Sequence, residues 1–241
     1  MHKNILQKRV VITLGDSRVG KSTCIKLLVD LLRCNNKQFL LYDLDKRNKF
    51  IGYRNYVPLC DNLNFFKGNT DVILDDIKDT DVSVILVDMP GQYITSIINE
   101  IEDCCLFEKL AELDWQITFL QPISHRNDCI NYLKQIMNYA DVNANYVVVK
   151  NLYFDKYFIK FEKEVVNKLH QLNGEIINLD QLQKNVYEVV DKFELPYKES
   201  CENVELFLLY RSYLFRWMKN FTQQIADNIL AAKYLGIYSL S

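Results

Sequence analysis

The chain has 241 residues, with 29 lysines and arginines against 31 aspartates and glutamates, and 49% of its residues are hydrophobic. That length fits one large domain or one domain with an appendage, and a net charge of −2 excludes a global attraction to nucleic acid or anionic membrane. Seven glycines and four prolines leave little room for low-complexity sequence, and seven cysteines without a C-x-x-C spacing suggest neither a disulfide framework nor a zinc ribbon. The start, Met1-His2-Lys3, lacks the apolar core of a secretory signal, and no run approaches the ~18 apolar residues of a membrane span. The expectation is a soluble cytoplasmic protein.

Apolar runs then alternate with amphipathic stretches. Arg9 to Leu14 reads as a buried strand stopped by Gly15, and Ser22 to Arg33 as a helix with Ile25, Leu28, Val29 and Leu32 on one face. Gln38 to Tyr42 reads as a second strand, followed by a polar, basic stretch from Lys46 to Arg54 and a short helix from Thr70 to Lys78. Val82 to Val87 is short and continuously apolar, as expected of a strand covered on both faces. Helical periodicity runs from Tyr93 to Leu113; a strand at Gln116 to Leu120, a helix at Asn127 to Tyr139 and a strand at Asn145 to Val149 follow. Phe158 to Leu172 is helical, Glu175 to Asn178 a short strand, and Leu182 to Lys192 a helix. Leu195-Pro196 interrupts the repeat. Val204 to Tyr234 reads as one long helix or a kinked pair, too apolar to stand free. Packing across the sheet as a closing helix is the favoured reading, with a partner or dimer surface as the alternative. This alternation predicts an α/β architecture, a mostly parallel sheet flanked by helices in three layers, as a single domain over residues 1–241 with a helical segment at 203–235 packed on it.

Gly15-Asp16-Ser17-Arg18-Val19-Gly20-Lys21-Ser22 satisfies G-x4-G-K-[ST], the phosphate-binding loop. The loop leaves a strand and enters a helix, so its backbone N–H groups and the helix N-terminus converge on phosphates. Lys21 would reach the β- and γ-phosphates, and the Ser22 hydroxyl would ligate Mg²⁺. Val84 to Asp88 is an apolar strand ending in a carboxylate, continued by Met89-Pro90-Gly91, and Asp88 has the place of a residue that holds a metal-bound water. Asp43 and Asp45 follow the second strand, and alternation puts them on the same side, where they could orient a lytic water or the metal.

In this order, a strand with the phosphate loop, a strand with D-x-D and a strand with D-x-P-G, the chain resembles the ParA/MinD branch (SIMIBI class) of the P-loop NTPases, over about residues 8 to 180. That branch holds plasmid-partition, cell-division positioning and conjugation-plasmid proteins. The resemblance implies that the phosphate-loop strand neighbours the strand of Asp88. It also implies an ATP-dependent switch, with ATP and Mg²⁺ as cofactors and a homodimer sandwiching the nucleotide. Lys21, Ser22 and Thr23 would contact phosphates and Mg²⁺, Asp45 would position the attacking water, and Asp88 would hold Mg²⁺ through water. Asn151, after Val147 to Lys150, matches the strand-terminal asparagine that reads adenine. The loop departs from the family pattern K-G-G-x-G-K-[ST]: Asp16, Ser17 and Arg18 stand where Lys, Gly and Gly would align. The missing lysine is the one that crosses the dimer, so the resemblance leaves the trans contact without its usual residue. A carboxylate at position 16 must turn away from the phosphates, toward solvent or Arg18.

Lys46, Arg47, Lys49 and Arg54, interleaved with Phe50, Tyr53 and Tyr56, form a basic and aromatic stretch. It reads as a solvated loop, as a switch touching a protein effector or DNA-associated adaptor, or as a nucleic-acid contact. His2, His125 and His170 lack metal or triad spacing, and Cys104-Cys105 read as core or half-exposed thiols. Ile229 to Leu240 is amphipathic but carries one lysine, Lys233, too little for a membrane-surface tail. The resulting reading is a weak Mg-ATPase switch in plasmid or DNA partition or transfer. The alternatives are a small-molecule or nucleotide kinase, which would need a basic lid that Arg211 and Arg216 scarcely provide, and a non-hydrolysing nucleotide-dependent scaffold. No N-K-x-D for guanine is present.

Overall fold

In the computed structural model, which describes residues 8–45, 49–61, 77–78 and 81–237, the strands are β1 (Lys8–Thr13), β2 (Phe39–Asp43), β3 (Leu59–Asp61), β4 (Val84–Asp88), β5 (Trp115–Ile123), β6 (Asn145–Asn151) and β7 (Glu175–Leu179). They form one sheet in the order β3-β2-β4-β1-β5-β6-β7, and every pairing is parallel. Strand-end carboxylates follow from the register: Thr13 lies opposite Asp88, and Asp88 opposite Asp43.

Period-two alternation divides the central strands between two cores. Val10, Ile12, Ile85, Val87, Ile117, Phe119, Tyr146 and Val148 face one side, and Val11, Val84, Leu86, Leu120, Val147 and Val149 the other. The first side is covered by α2 (Ile94–Asp103), α3 (Leu106–Glu112), α4 (Asn127–Ala140), α5 (Ile159–Glu164) and α6 (Val166–Gln171). The second is covered by α1 (Lys21–Cys34), α7 (Lys184–Lys192), α8 (Tyr197–Glu202), α9 (Leu208–Asp227) and α10 (Ile229–Tyr234). This is the expected three-layer α/β/α arrangement.

Two predicted helices are broken in the structure, and the C-terminal segment takes the kinked form of the two that were expected. Tyr93 to Leu113 divides at Cys104-Cys105, where Cys105 takes a left-handed φ of 51°. Phe158 to Leu172 divides at Val165. The C-terminal segment is a kinked pair: Asn228 leaves the helical conformation and its side chain accepts the Ala231 N–H at 2.9 Å, capping α10. Leu214, Trp217, Phe221 and Ile225, at spacings of three and four, bury one face of α9 on the sheet. Its other face leaves Leu208, Leu209 and Phe215 exposed. Gln224 on α9 pairs with the backbone of edge strand β7, accepting from Asn178 N at 2.7 Å and donating to Asn178 O at 3.0 Å, which blunts that edge. Two elements lay outside the sequence reading: the edge strand β3 and the short helix α8. The predicted helix from Thr70 to Lys78 falls outside the described residues except at Ile77 and Lys78, as do Lys46, Arg47 and His2. Among the described residues no helix is long and apolar enough to cross a membrane.

Candidate functional site: the phosphate loop and its carboxylates

The loop between β1 and α1 turns on left-handed backbone at Gly15, Arg18 and Gly20, with φ of 121°, 60° and 105°. At Gly20 a side chain is excluded twice over: its φ is positive, and an added Cβ would lie 2.8 Å from Asn151 Nδ2. The first backbone bond of α1 runs from Cys24 N to Gly20 O at 2.9 Å, so the N–H groups ahead of it have no acceptor within the helix. They make the positive end of a 14-residue helix, open to an anion.

Lys21 is almost fully buried and curls back on the loop, donating to Asp16 O at 2.7 Å and Gly15 O at 3.3 Å. Burial brings its pKa down to about 8, against the raising effect of the Asp88, Asp45 and Asp16 carboxylates. Ser22 donates from Oγ to Asp88 Oδ2 at 2.5 Å. Asp88 is fully buried and also accepts from Thr13 Oγ1 at 3.1 Å, while Thr13 Oγ1 accepts the Met89 N–H at 3.1 Å. Burial raises the Asp88 pKa; the Lys49 charge, the Ser22 bond, the Lys21 charge and the Thr13 bond all act to lower it. Asp45 donates its backbone N–H to Asp43 Oδ1 at 3.0 Å and pairs through Oδ2 with Lys49 Nζ at 2.7 Å. Asp43, buried beside the Asp88 carboxylate, has its pKa pushed up to about 7.

The Asp16 side chain points neither to solvent nor to Arg18. It is 1% exposed, accepts the Ser17 N–H at 2.6 Å and Gln92 Nε2 at 3.1 Å, and pairs with Arg126 at 2.9 Å. Arg126 also donates to Ser17 O at 2.7 Å. The reason is proximity: the turn after β4 lies against the loop, and a Cβ on Gly91 would meet Ser17 Cα at 2.8 Å. Arg18 stays exposed at the lip. Gln92 and Arg126 are the site residues that sequence reasoning missed; Lys49 was read only as part of the basic stretch, as a solvated loop, a switch or a nucleic-acid contact, and here its ammonium bonds Ser22. Gln92 directly follows D-x-P-G, a readable position, whereas Arg126 carries no local signal.

Asn151 ends β6 and donates from Nδ2 to Val19 O at 2.9 Å, and its Oδ1 accepts the Tyr153 N–H at 3.1 Å. An amide offers two donors and two lone pairs, so one of each remains. Beside it opens a cleft of about 350 Å³ lined in part by Arg18, Gly20, Thr23, Leu179, Tyr187 and Trp217. A second, of about 420 Å³, shares Arg18, Gly20, Thr23 and Tyr187 and continues to Lys21, Ser22 and Lys49. Together they form a groove with charge at one end and apolar walls at the other.

The donor set at the charged end suits Mg²⁺. Its oxygens are hard, one hydroxyl and one buried carboxylate side by side, and an ammonium already stands among them. Among the described residues no group of three His, Cys, Asp or Glu side chains would hold a metal alone. Mg²⁺ in phosphate sites needs few protein ligands, because phosphate oxygens and water complete its shell.

No family model matches the chain, and no curated protein matches it. Solved structures do. A nucleotide-binding protein from Archaeoglobus fulgidus in complex with ADP superposes with a TM-score of 0.52 at 12% identity, covering 79% of this chain and 88% of that one. The signal recognition particle receptor FtsY from Elizabethkingia anophelis, in complex with GDP, gives 0.48 at 16% identity; 73% of this chain and 58% of FtsY are covered. FlhF complexed with GMPPNP and Mg²⁺ gives 0.40 at 15% identity, over 73% and 65%. The chain thus spans under two thirds of the length of the FtsY and FlhF structures. The likeness is one of fold, a parallel sheet flanked by helices, and in this chain the strand before the Gly15–Ser22 loop and the strand of Asp88 are adjacent, as expected.

Proposed function

We propose that the chain acts as a single-domain, Mg-ATP-binding switch that hydrolyses ATP slowly, in the cytoplasm, in plasmid or DNA partition or transfer. The observation that carries the nucleotide reading is the triad of buried groups at one loop: Lys21 held on the loop carbonyls, and Ser22 bonded to Asp88 at 2.5 Å. Entering phosphates would take Lys21 from Asp16 O and Gly15 O, exchanging neutral carbonyl acceptors for anionic oxygens that bind the ammonium more strongly. Bound Mg²⁺ would neutralise charge developing on the transferred phosphoryl group. Ser22 would hold it directly, and Asp88, bonded to Ser22, would orient its shell. Asp45, at the start of the segment after β2, would orient the attacking water. Asn151 supports adenine, since its remaining donor and lone pair can meet the N6 and N7 edge. The role in partition or transfer rests on the resemblance of the three motifs. A second subunit would meet the exposed Arg18, in place of the absent loop lysine.

The test is competition binding followed by turnover. ATP should displace a fluorescent adenine nucleotide at lower concentration than GTP. Asp88→Ala should weaken Mg²⁺-dependent binding, and Asp45→Ala should leave affinity within about threefold while lowering hydrolysis on the order of 10²-fold, the range of a positioned proton or water group. GTP competing as well as ATP would reject the adenine assignment; Asp45→Ala turning over at the wild-type rate would reject the role of Asp45.

A further inference from the structure

Lys49 lies in a stretch that reads as an ordinary solvated loop, yet its ammonium is inside the site. It donates to Ser22 Oγ at 2.8 Å and pairs with Asp45 Oδ2 at 2.7 Å. An i,i+4 ion pair with Asp45 would need no contact with α1; the bond to Ser22 is the additional observation. Ser22 Oγ in turn donates to Asp88, so one hydroxyl bridges the ammonium and the buried carboxylate. The groups facing Lys49 are Asp43 at the end of β2, Asp45 in the segment just after it, Asp88 at the end of β4, and Ser22 with Lys21 at the start of α1. The Ser22 hydroxyl, bonded to the buried Asp88 carboxylate, thus already carries a cation, the Lys49 ammonium, at the position where the proposed Mg²⁺ would need it.

We infer that Lys49 is a tethered counter-cation: it fills the cation position of the nucleotide-free site, and Mg²⁺ gains Ser22 only when Lys49 leaves it. The inference deepens the Mg-nucleotide reading and rests on it for the identity of the competing ion. The lone pairs of the Ser22 oxygen face either an ammonium or a metal, and two adjacent cations repel. The residue after Lys49 constrains how it leaves. Phe50 is completely buried, against Tyr53 at a ring separation of 6.1 Å, so the backbone is anchored and the long side chain does the moving. The tether sets a positive charge beside three buried carboxylates, Asp43, Asp45 and Asp88, that would otherwise repel one another. It also sets a threshold: the metal must arrive with phosphate, which offers Lys49 an alternative anion, and metal alone competes poorly.

The experiment needs no nucleotide. Mn²⁺ alone is titrated into the full chain, free ion being read by electron paramagnetic resonance, for wild type, Lys49→Met and Lys49→Gln. Lys49→Gln keeps a neutral donor that can still reach Asp45 while removing the charge, which covers the case that Lys49→Met does not fold. The inference expects at least tenfold tighter Mn²⁺ binding by the neutral variants, displaced by Mg²⁺, with a melting temperature that Mn²⁺ raises in the variants and not in wild type. Equal or weaker Mn²⁺ binding by the folded variants overturns it. Because the readout is metal alone, a chain that fails to bind ATP would reject the proposed function while the Lys49 result stood separately.

Discussion

At the scale of single residues, the sharpest chemical conflict is a carboxylate inside a phosphate loop. Asp16 resolves it by facing away, into a pocket made by Gln92 and Arg126. The two halves of that pair are not equivalent. The Asp16 side chain is 2% exposed and that of Arg126 40% exposed, so water can take over Arg126 but not Asp16. Arg126→Ala should therefore destabilise the fold by about 1–3 kcal/mol, the cost of a buried charge losing its partner, and more than Asp16→Asn, which keeps an acceptor for Ser17 and Gln92. Chemical denaturation of both variants measures this; a larger loss for Asp16→Asn would contradict the argument. The phosphate loop, Asp88 and the D-x-D pair were legible in the sequence because their chemistry needs a local spacing. Arg126 was not, because it reaches the loop across 109 residues and only the sheet order brings it there; Gln92 stands at a readable position after D-x-P-G, but its contact with Asp16, 76 residues away, is not written in any local spacing.

At the scale of elements, α1 is tied to the segment after β2 and to α8 through one buried carboxylate. Asp30 accepts from Tyr53 Oη at 3.0 Å and from Lys198 N at 3.3 Å, and lies 3.5 Å from Arg33. Burial pushes its pKa up to about 7. The native state therefore holds a proton that the unfolded chain has released between the ordinary value of 3.8 and about 7. Stability is greatest below that window and falls as pH rises through it. Urea midpoints measured from pH 4 to 8 should decline, and Asp30→Asn should flatten part of the decline, Asp43 and Asp88, both raised by burial, also contributing to it. A slope unchanged in Asp30→Asn would show that this carboxylate is not the group titrating. Helix existence was readable here from periodicity, but the breaks were not: Cys105 and Val165 show nothing in composition, and the strand β3 has three residues, too few for a pattern.

At the scale of the whole molecule, the long C-terminal helix closes the sheet and walls the groove beside Asn151. Trp217 is 5% exposed, donates to Asp180 O at 2.7 Å and stacks edge-on with Tyr197 at 5.5 Å. Trp217→Ala should cost about 3–5 kcal/mol of stability, and Trp217→Phe less, since it removes mainly the hydrogen bond. Both should weaken nucleotide binding without touching a phosphate contact, because the apolar wall of the groove shifts with Asp180. Wild-type affinity in a folded Trp217→Ala would mean that the base lies elsewhere. That this segment must be buried was legible from its aromatic content; where it packs, against edge strand β7, depended on contacts such as Gln224 with Asn178 that no spacing announces.

The central claim is that the loop from Gly15 to Ser22 binds the phosphates of a nucleotide. Isothermal titration of ATP with Mg²⁺ into the wild-type chain and Lys21→Ala tests it most directly. The account predicts one site per chain in the wild type and an affinity at least tenfold lower in the variant, with the variant's fold intact by circular dichroism. Equal affinities, or no binding by the wild type at any accessible ATP concentration, would contradict it.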